Sequence, residues 1–93
     1  MIEVRCTGTG DPLTFEVAVG EGADMSRHHV TMDQATQGQL GGGHDPERVV
    51  EAAFAFLLDR EPKESILPSF NITVISRYFP EFEKELPGYL VRT

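Results

Sequence analysis

The chain has 93 residues, of which 40% are hydrophobic and 25% charged, so it holds enough apolar side chain for one packed core and too little length for two. Its formal charge of −7, from 15 acidic and 8 basic side chains, provides no basic stripe to displace counterions from a phosphate backbone; the longest basic grouping is Arg27-His28-His29. Nucleic acids and anionic membrane surfaces are therefore disfavoured as partners, and a single cysteine, Cys6, closes no internal disulfide.

The first residues, MIEVRCTGTG, carry neither the basic nor the apolar region of a secretory signal, and no stretch approaches the ~18 apolar residues of a membrane span. The expectation is a cytoplasmic protein. Within this segment Ile2, Val4 and Cys6 alternate with Glu3 and Arg5, the period of a half-buried strand over 2–6. Thr7 to Pro12 read as a turn. Leu13, Phe15, Val17 and Val19 alternate with Thr14, Glu16 and Ala18 and predict a second strand over 13–19. After the glycine-rich break at 20–24, a third strand over 26–32 sets His28, Val30 and Met32 on one face and Arg27, His29 and Thr31 on the other. Short glycine-bearing links between the three predict an antiparallel meander.

Asp33 is placed to cap a short helix over 34–39, and Leu40 with Gly41, Gly42 and Gly43 reads as a flexible joint. Asp45-Pro46-Glu47 then marks a helix start, with a capping carboxylate and a proline at the first helical position. The predicted helix, near 45–60, has an apolar face of Val49, Val50, Ala53, Phe54, Leu57 and Leu58; Arg48, Glu51, Ala52, Ala55 and Asp59 mark the other side. Phe56 lies off that stripe, which implies contact on a second side. Pro62 stops the helix, and Leu67-Pro68-Ser69 interrupts any continuation. Asn71 is a further cap, with Phe70 and Ile75 at hydrophobic-staple spacing, and a helix over 72–79 follows. Pro80 either kinks that helix or begins another through Leu86, since Ile75, Tyr78, Phe79, Phe82 and Leu86 keep one stripe across it. Pro87-Gly88 reads as its end. The fold class expected is α+β, a single domain over 1–93 with strands over 1–32, a short helix and joint over 33–44, and helices over 45–93 packed on one sheet face.

The stretch from Val50 to Leu86, and above all ILPSFNITVISRYFPEFEKEL, resembles a carboxy-terminal signature of short bacterial proteins. The resemblance implies a bacterial origin and carries over no functional residues.

Three constellations invite chemistry. His28, His29, His44, Asp45 and Cys6 are competent metal ligands, but neighbours on a strand face opposite ways and no Cys-x-x-Cys or paired-histidine helix motif is present, so no metal or other cofactor is expected. Gly41-Gly42-Gly43-His44 leads into a helix as a phosphate cradle does, yet no Lys-Ser/Thr pair follows and Asp45 occupies the place of the anion. Cys6 sits on the apolar side of a strand as a small core residue, with no local signature of a nucleophile. Asn71-Ile72-Thr73 matches a glycosylation sequon, read here as a cap, and Glu81, Glu83 and Glu85 read as a solvated helix face.

The leading expectation is a non-enzymatic interaction module or homodimer using its helical half. The candidate interface residues are Phe56, Arg77, Phe82, Tyr89 and Leu90, because three strands are too few to cover every large apolar side chain. Tyr78 and Phe79 read instead as core. The alternative is a small-ligand or anion-binding domain, or a weak enzyme, around Arg27, His29 and the Gly41–Gly43 joint.

Overall fold

Alternation along the first third of the chain becomes a sheet with one buried and one open face. In the computed structural model, which describes residues 1–91, β1 (Ile2–Gly8), β2 (Leu13–Glu21) and β3 (Asp24–Met32) pair antiparallel in sequence order. Leu13, Phe15, Val17 and Val19 face inward with His28, Val30 and Met32, while Glu16, Arg27 and His29 lie on the open face. Gly20 enters the β2–β3 turn at φ +118°, where a Cβ would run into the Asp24 carbonyl, so only glycine fits.

Three strands were expected and four are found. β4 (Ser69–Asn71) adds to the far side of β3 in parallel, giving a mixed sheet of order β1-β2-β3-β4. Its length of 3 residues is too short to display a period, which is why the sequence pattern hides it. What holds it is local. The Pro68 carbonyl accepts the His29 N–H at 2.8 Å, and the Ile72 N–H reaches the Thr31 carbonyl at 2.9 Å. Behind this strand His28 is 3% exposed and both its ring nitrogens are engaged. The Leu67 carbonyl can only accept, so Nδ1 carries the proton at 2.8 Å, and in the neutral ring Nε2 accepts from the Ser26 hydroxyl at 2.8 Å.

The helices cover the inner face. α1 (Gln34–Leu40) ends at Gly41, and α2 (Pro46–Leu58) begins at the expected proline after Asp45. The glycine joint is more tightly set than a flexible linker: Gly41 is buried against Gln37, whose Nε2 donates to the His44 carbonyl at 2.9 Å, and Gly42 and Gly43 take positive φ. A 3₁₀ turn (Lys63–Ser65), α3 (Val74–Tyr78) and α4 (Phe82–Leu90) complete the chain. The helix expected over 72–79 is thus shorter, and Pro80 separates two helices rather than kinking one.

Two further expectations do not hold. Pro87-Gly88 does not end the last helix, because α4 runs through it to Leu90. The missing Pro87 N–H falls opposite the exposed residue Glu83, where water can serve the freed carbonyl, and burial of Leu86, Tyr89 and Leu90 outweighs the loss. Arg48 also caps the end, with Nη2 donating to the Tyr89 carbonyl at 2.9 Å and the Leu90 carbonyl at 3.1 Å. The second correction concerns Phe56, Phe82, Tyr89 and Leu90, candidate interface residues of which some were expected to lie exposed; all four are buried. Phe56 does use a second side of α2, but what it meets is this chain's own α4 and the residue that ends α3: its ring lies 5.0 Å from Phe82, 5.7 Å from Tyr89 and 5.9 Å from Phe79. Ala52, read as outward, is also buried.

Arg60 locks this contact. Its guanidinium carbon stands 3.6 Å from the Phe56 ring centre, Nε donates to Glu81 at 3.1 Å and Nη2 to Glu85 at 2.8 Å. Burial opposes its charge, but hydrogen bonds to Tyr89, Glu81 and Glu85 outweigh that and raise its pKa. The Glu81 carboxyl is held below the ordinary range, first by its own backbone N–H and then by Arg60.

Three measurements check this packing. Phe56→Ala is expected to cost about 3–5 kcal/mol in a denaturant titration, the range for emptying a core aromatic site. His28→Leu removes the buried ring that donates to the Leu67 carbonyl, leaves the Ser26 hydroxyl without its partner, and is expected to cost about 1–3 kcal/mol by the same method. The Glu81 contribution is full above the ordinary glutamate pKa of about 4.3 and is lost as pH falls through the lowered folded value. Stability of the wild type measured from neutral to acid pH should fall in that window, and Arg60→Met should make the fall shallower.

Candidate functional site

The segment between α2 and α4 does not fill the space it encloses. Pro62 and Pro68 bar helix on either side of the 3₁₀ turn, so Ile66, Leu67 and Pro68 lead into β4 through two bends, at Ile66 and Pro68, while α3 rises beyond them. Between these pieces and the end of α2 lies a groove of about 250 Å³. Leu57, Ile66, Phe70, Ile75 and Phe79 form much of its lining. Leu67 and Tyr78, at 43% and 68% exposure, stand at its margins.

The walls are fixed. Phe70 packs on Phe54 at 6.0 Å between ring centres, and Phe79 packs on Phe56. Asn71 sets the entry to α3: its Oδ1 accepts the Thr73 N–H at 3.0 Å and the Thr73 hydroxyl at 2.7 Å, while Nδ2 donates to Thr31 at 2.9 Å. The cap expected at Asn71 is therefore a turn-forming carbonyl two residues before the helix's own cap position at Thr73. Charge at the groove is acidic. Glu61 lines it and makes no ion pair among the described residues, whereas nearby Lys63 is shared by Glu64 at 2.9 Å and Asp24 at 3.0 Å. These contacts raise the Lys63 pKa, the Glu64 bond first, and lower that of Glu64 through the same bond.

The residues singled out in the sequence fall differently. Of the five candidate interface residues only Arg77 is exposed, on α3 beside Tyr78. Tyr78, read as core, is on the surface, and Phe79 is half-buried. Arg27 and His29 lie together on the open face of β3, where His29 Nδ1 is 3.4 Å from Glu16. The depression that includes Arg27 is lined by Glu3, Arg5, Glu16, Ala18 and Met25 and by no residue of the Gly41–Gly43 joint. His28 and His29 face opposite ways, and among the described residues no group of His, Cys, Asp and Glu is assembled as a metal site. Among these residues no helix is long and apolar enough to cross a membrane.

The groove was missed because Leu67, Phe70, Val74 and Tyr78 keep the spacing of one helix face in the sequence but fall on a proline-bounded loop, β4 and α3. A signal was present in Leu67-Pro68, a large apolar residue before a proline where no helix or regular strand could bury it. Compared with known proteins, the chain matches no family model, no curated protein and no solved structure.

Proposed function

We propose that this protein is a non-enzymatic interaction module whose groove accepts one large apolar side chain of a partner protein, presented with a basic neighbour. The observation that carries this reading is the gathering of exposed apolar surface at one place: Leu67 and Tyr78 flank a groove lined by Leu57, Phe70 and Ile75, while the remaining large exposed apolar residues among those described are Met1 and Val91. Exposed aromatic and aliphatic side chains around a preformed hollow are the usual setting of an interface anchor.

Size and charge narrow the occupant. At about 250 Å³ the groove is smaller than the ~300–1,000 Å³ of typical small-molecule sites, and it suits a single leucine, methionine or phenylalanine anchor. Glu61 at its lining and a net charge of −7 favour lysine or arginine next to that anchor.

Amphipathic peptides with one leucine or phenylalanine anchor, flanked by lysines or by glutamates, provide the test. The lysine-flanked peptide is expected to shift amide resonances of 57–79 and to bind more tightly than its glutamate-flanked twin. Tyr78→Ser with Leu67→Ser should abolish binding and leave stability within about 0.5 kcal/mol, since both side chains are exposed. Glu61→Lys should reverse the charge preference. If neither peptide perturbs these residues, or only small apolar molecules do, the reading fails.

A further inference from the structure

The opposite end of the sheet presents a different surface. β1 is an edge strand, paired with β2 on one side only. The phase of that pairing is fixed by the Gly20 N–H, which reaches the Met1 carbonyl at 2.9 Å directly across the ladder. Because hydrogen-bonded and non-bonded pairs alternate in an antiparallel ladder, Glu3 and Arg5 turn their backbone groups toward Ala18 and Glu16 of β2. Ile2, Val4 and Cys6 turn theirs outward. None of those outward groups has a hydrogen-bond partner among the described residues.

Natural edges are usually blunted by lysine, proline, a bulge or a covering element. β1 holds no lysine or proline, and its one irregularity, between Cys6 and Gly8, leaves Ile2 to Cys6 regular. The side chains of Ile2, Val4 and Cys6 are only half-buried against the core, so their inner face is incompletely covered.

We infer that the occupant of this edge is a second copy of the chain, pairing β1 with β1 antiparallel about a two-fold axis at Val4. Charge complementarity selects this occupant, in a register that the backbone also demands. With Val4 opposite Val4 of the other copy, the outward groups of Val4 pair with each other and those of Ile2 with Cys6, so every free edge group is used. In the same register Glu3 faces Arg5 of the other copy, and Arg5 faces Glu3, in the closely spaced non-bonded positions where side chains interact most strongly. A slip of two residues either way sets Glu3 against Glu3 or Arg5 against Arg5. The strand is thus complementary to itself in one register and repelled in its neighbours. The two four-stranded sheets join into one, with the apolar row of Ile2, Val4 and Cys6 continuing across the axis.

The proposal does not rest on the groove, which lies at the β4 end. Sedimentation of the full chain should show a monomer–dimer equilibrium. Glu3→Arg alone sets arginine against Arg5 of the other copy, and Arg5→Glu alone sets glutamate against Glu3; each should weaken self-association by about tenfold or more. Mixing the two variants makes both facing pairs complementary again and should restore a heterodimer of near wild-type affinity. Arg5 also faces Glu16 on β2, so Arg5→Glu is checked for folding by thermal melting, and a wild-type measurement stands beside it. As concentration rises, hydrogen exchange should slow at the amides of Ile2, Val4 and Cys6 and stay constant at Glu3 and Arg5, which are already bonded to β2. A chain that stays monomeric at millimolar concentration, a dimer indifferent to Glu3→Arg, or protection that does not alternate along β1 would overturn the inference.

Discussion

Arg60 stands just past the end of α2 and folds back over the ring of Phe56, so that one side chain meets an aromatic face, two carboxylates and a phenol at once. This contact sets the helical half. With Arg60 over it, Phe56 is closed from solvent and becomes the centre on which Phe79, Phe82 and Tyr89 converge. α4 is thereby drawn across α2, and Tyr89 is fixed further by donating its hydroxyl proton to Asp59. Arg48 does at the other end of α2 what Arg60 does here, holding the last carbonyls of α4. Two arginines, one on α2 and one just past its end, therefore define the path of α4, and the apolar stripe between them is sealed.

That arrangement explains which parts of the fold were legible in the sequence. Strands β1 to β3 announce themselves because one face is wet and one dry, and period-two alternation records that directly. The start of α2 is equally plain, since Asp45-Pro46-Glu47 is chemistry local to the turn it makes. Phe56 was half legible: its place off the main stripe pointed to a second contact, but nothing local says whether that contact belongs to the same chain. Pro87-Gly88 misleads for the converse reason. Its breaking tendency is intrinsic, while the burial of Tyr89 and Leu90 and the cap from Arg48, from a residue more than forty positions away, are tertiary. Propensity yields where packing and capping on the far side of the break are secured.

The candidate site was less legible than the fold. Its lining comes from the end of α2, a proline-bounded loop, β4 and α3, so no window of sequence contains its shape. β4 owes its place to His28, whose ring reads as one more inward residue of a strand; the hydrogen bond from its Nδ1 to the Leu67 carbonyl is what brings the chain back beside β3. Once that tether and the Asn71 turn are made, Phe70 must point toward the core and Leu67 away from it. The exposed apolar margin is a consequence of forming a short parallel strand from a proline-bounded segment.

The sheet also separates the two surfaces. Neighbouring strands lie about 4.8 Å apart, so β1 and β4 stand roughly 14 Å from one another, and β2 and β3 between them carry the inward rows of the core. A change in edge charge at Glu3 has no direct path to Tyr78, and a change at the groove leaves the β1 backbone untouched. If two copies join through β1, their grooves come to lie at the far ends of the continuous sheet, roughly 34 Å apart along the direction of strand pairing by the same spacing. A partner carrying two anchors gains from such an array only if the segment between them spans that distance, because effective concentration vanishes for a linker too short to reach both sites. The spacing therefore selects among partners by length, in addition to the selection by anchor and charge made at each groove.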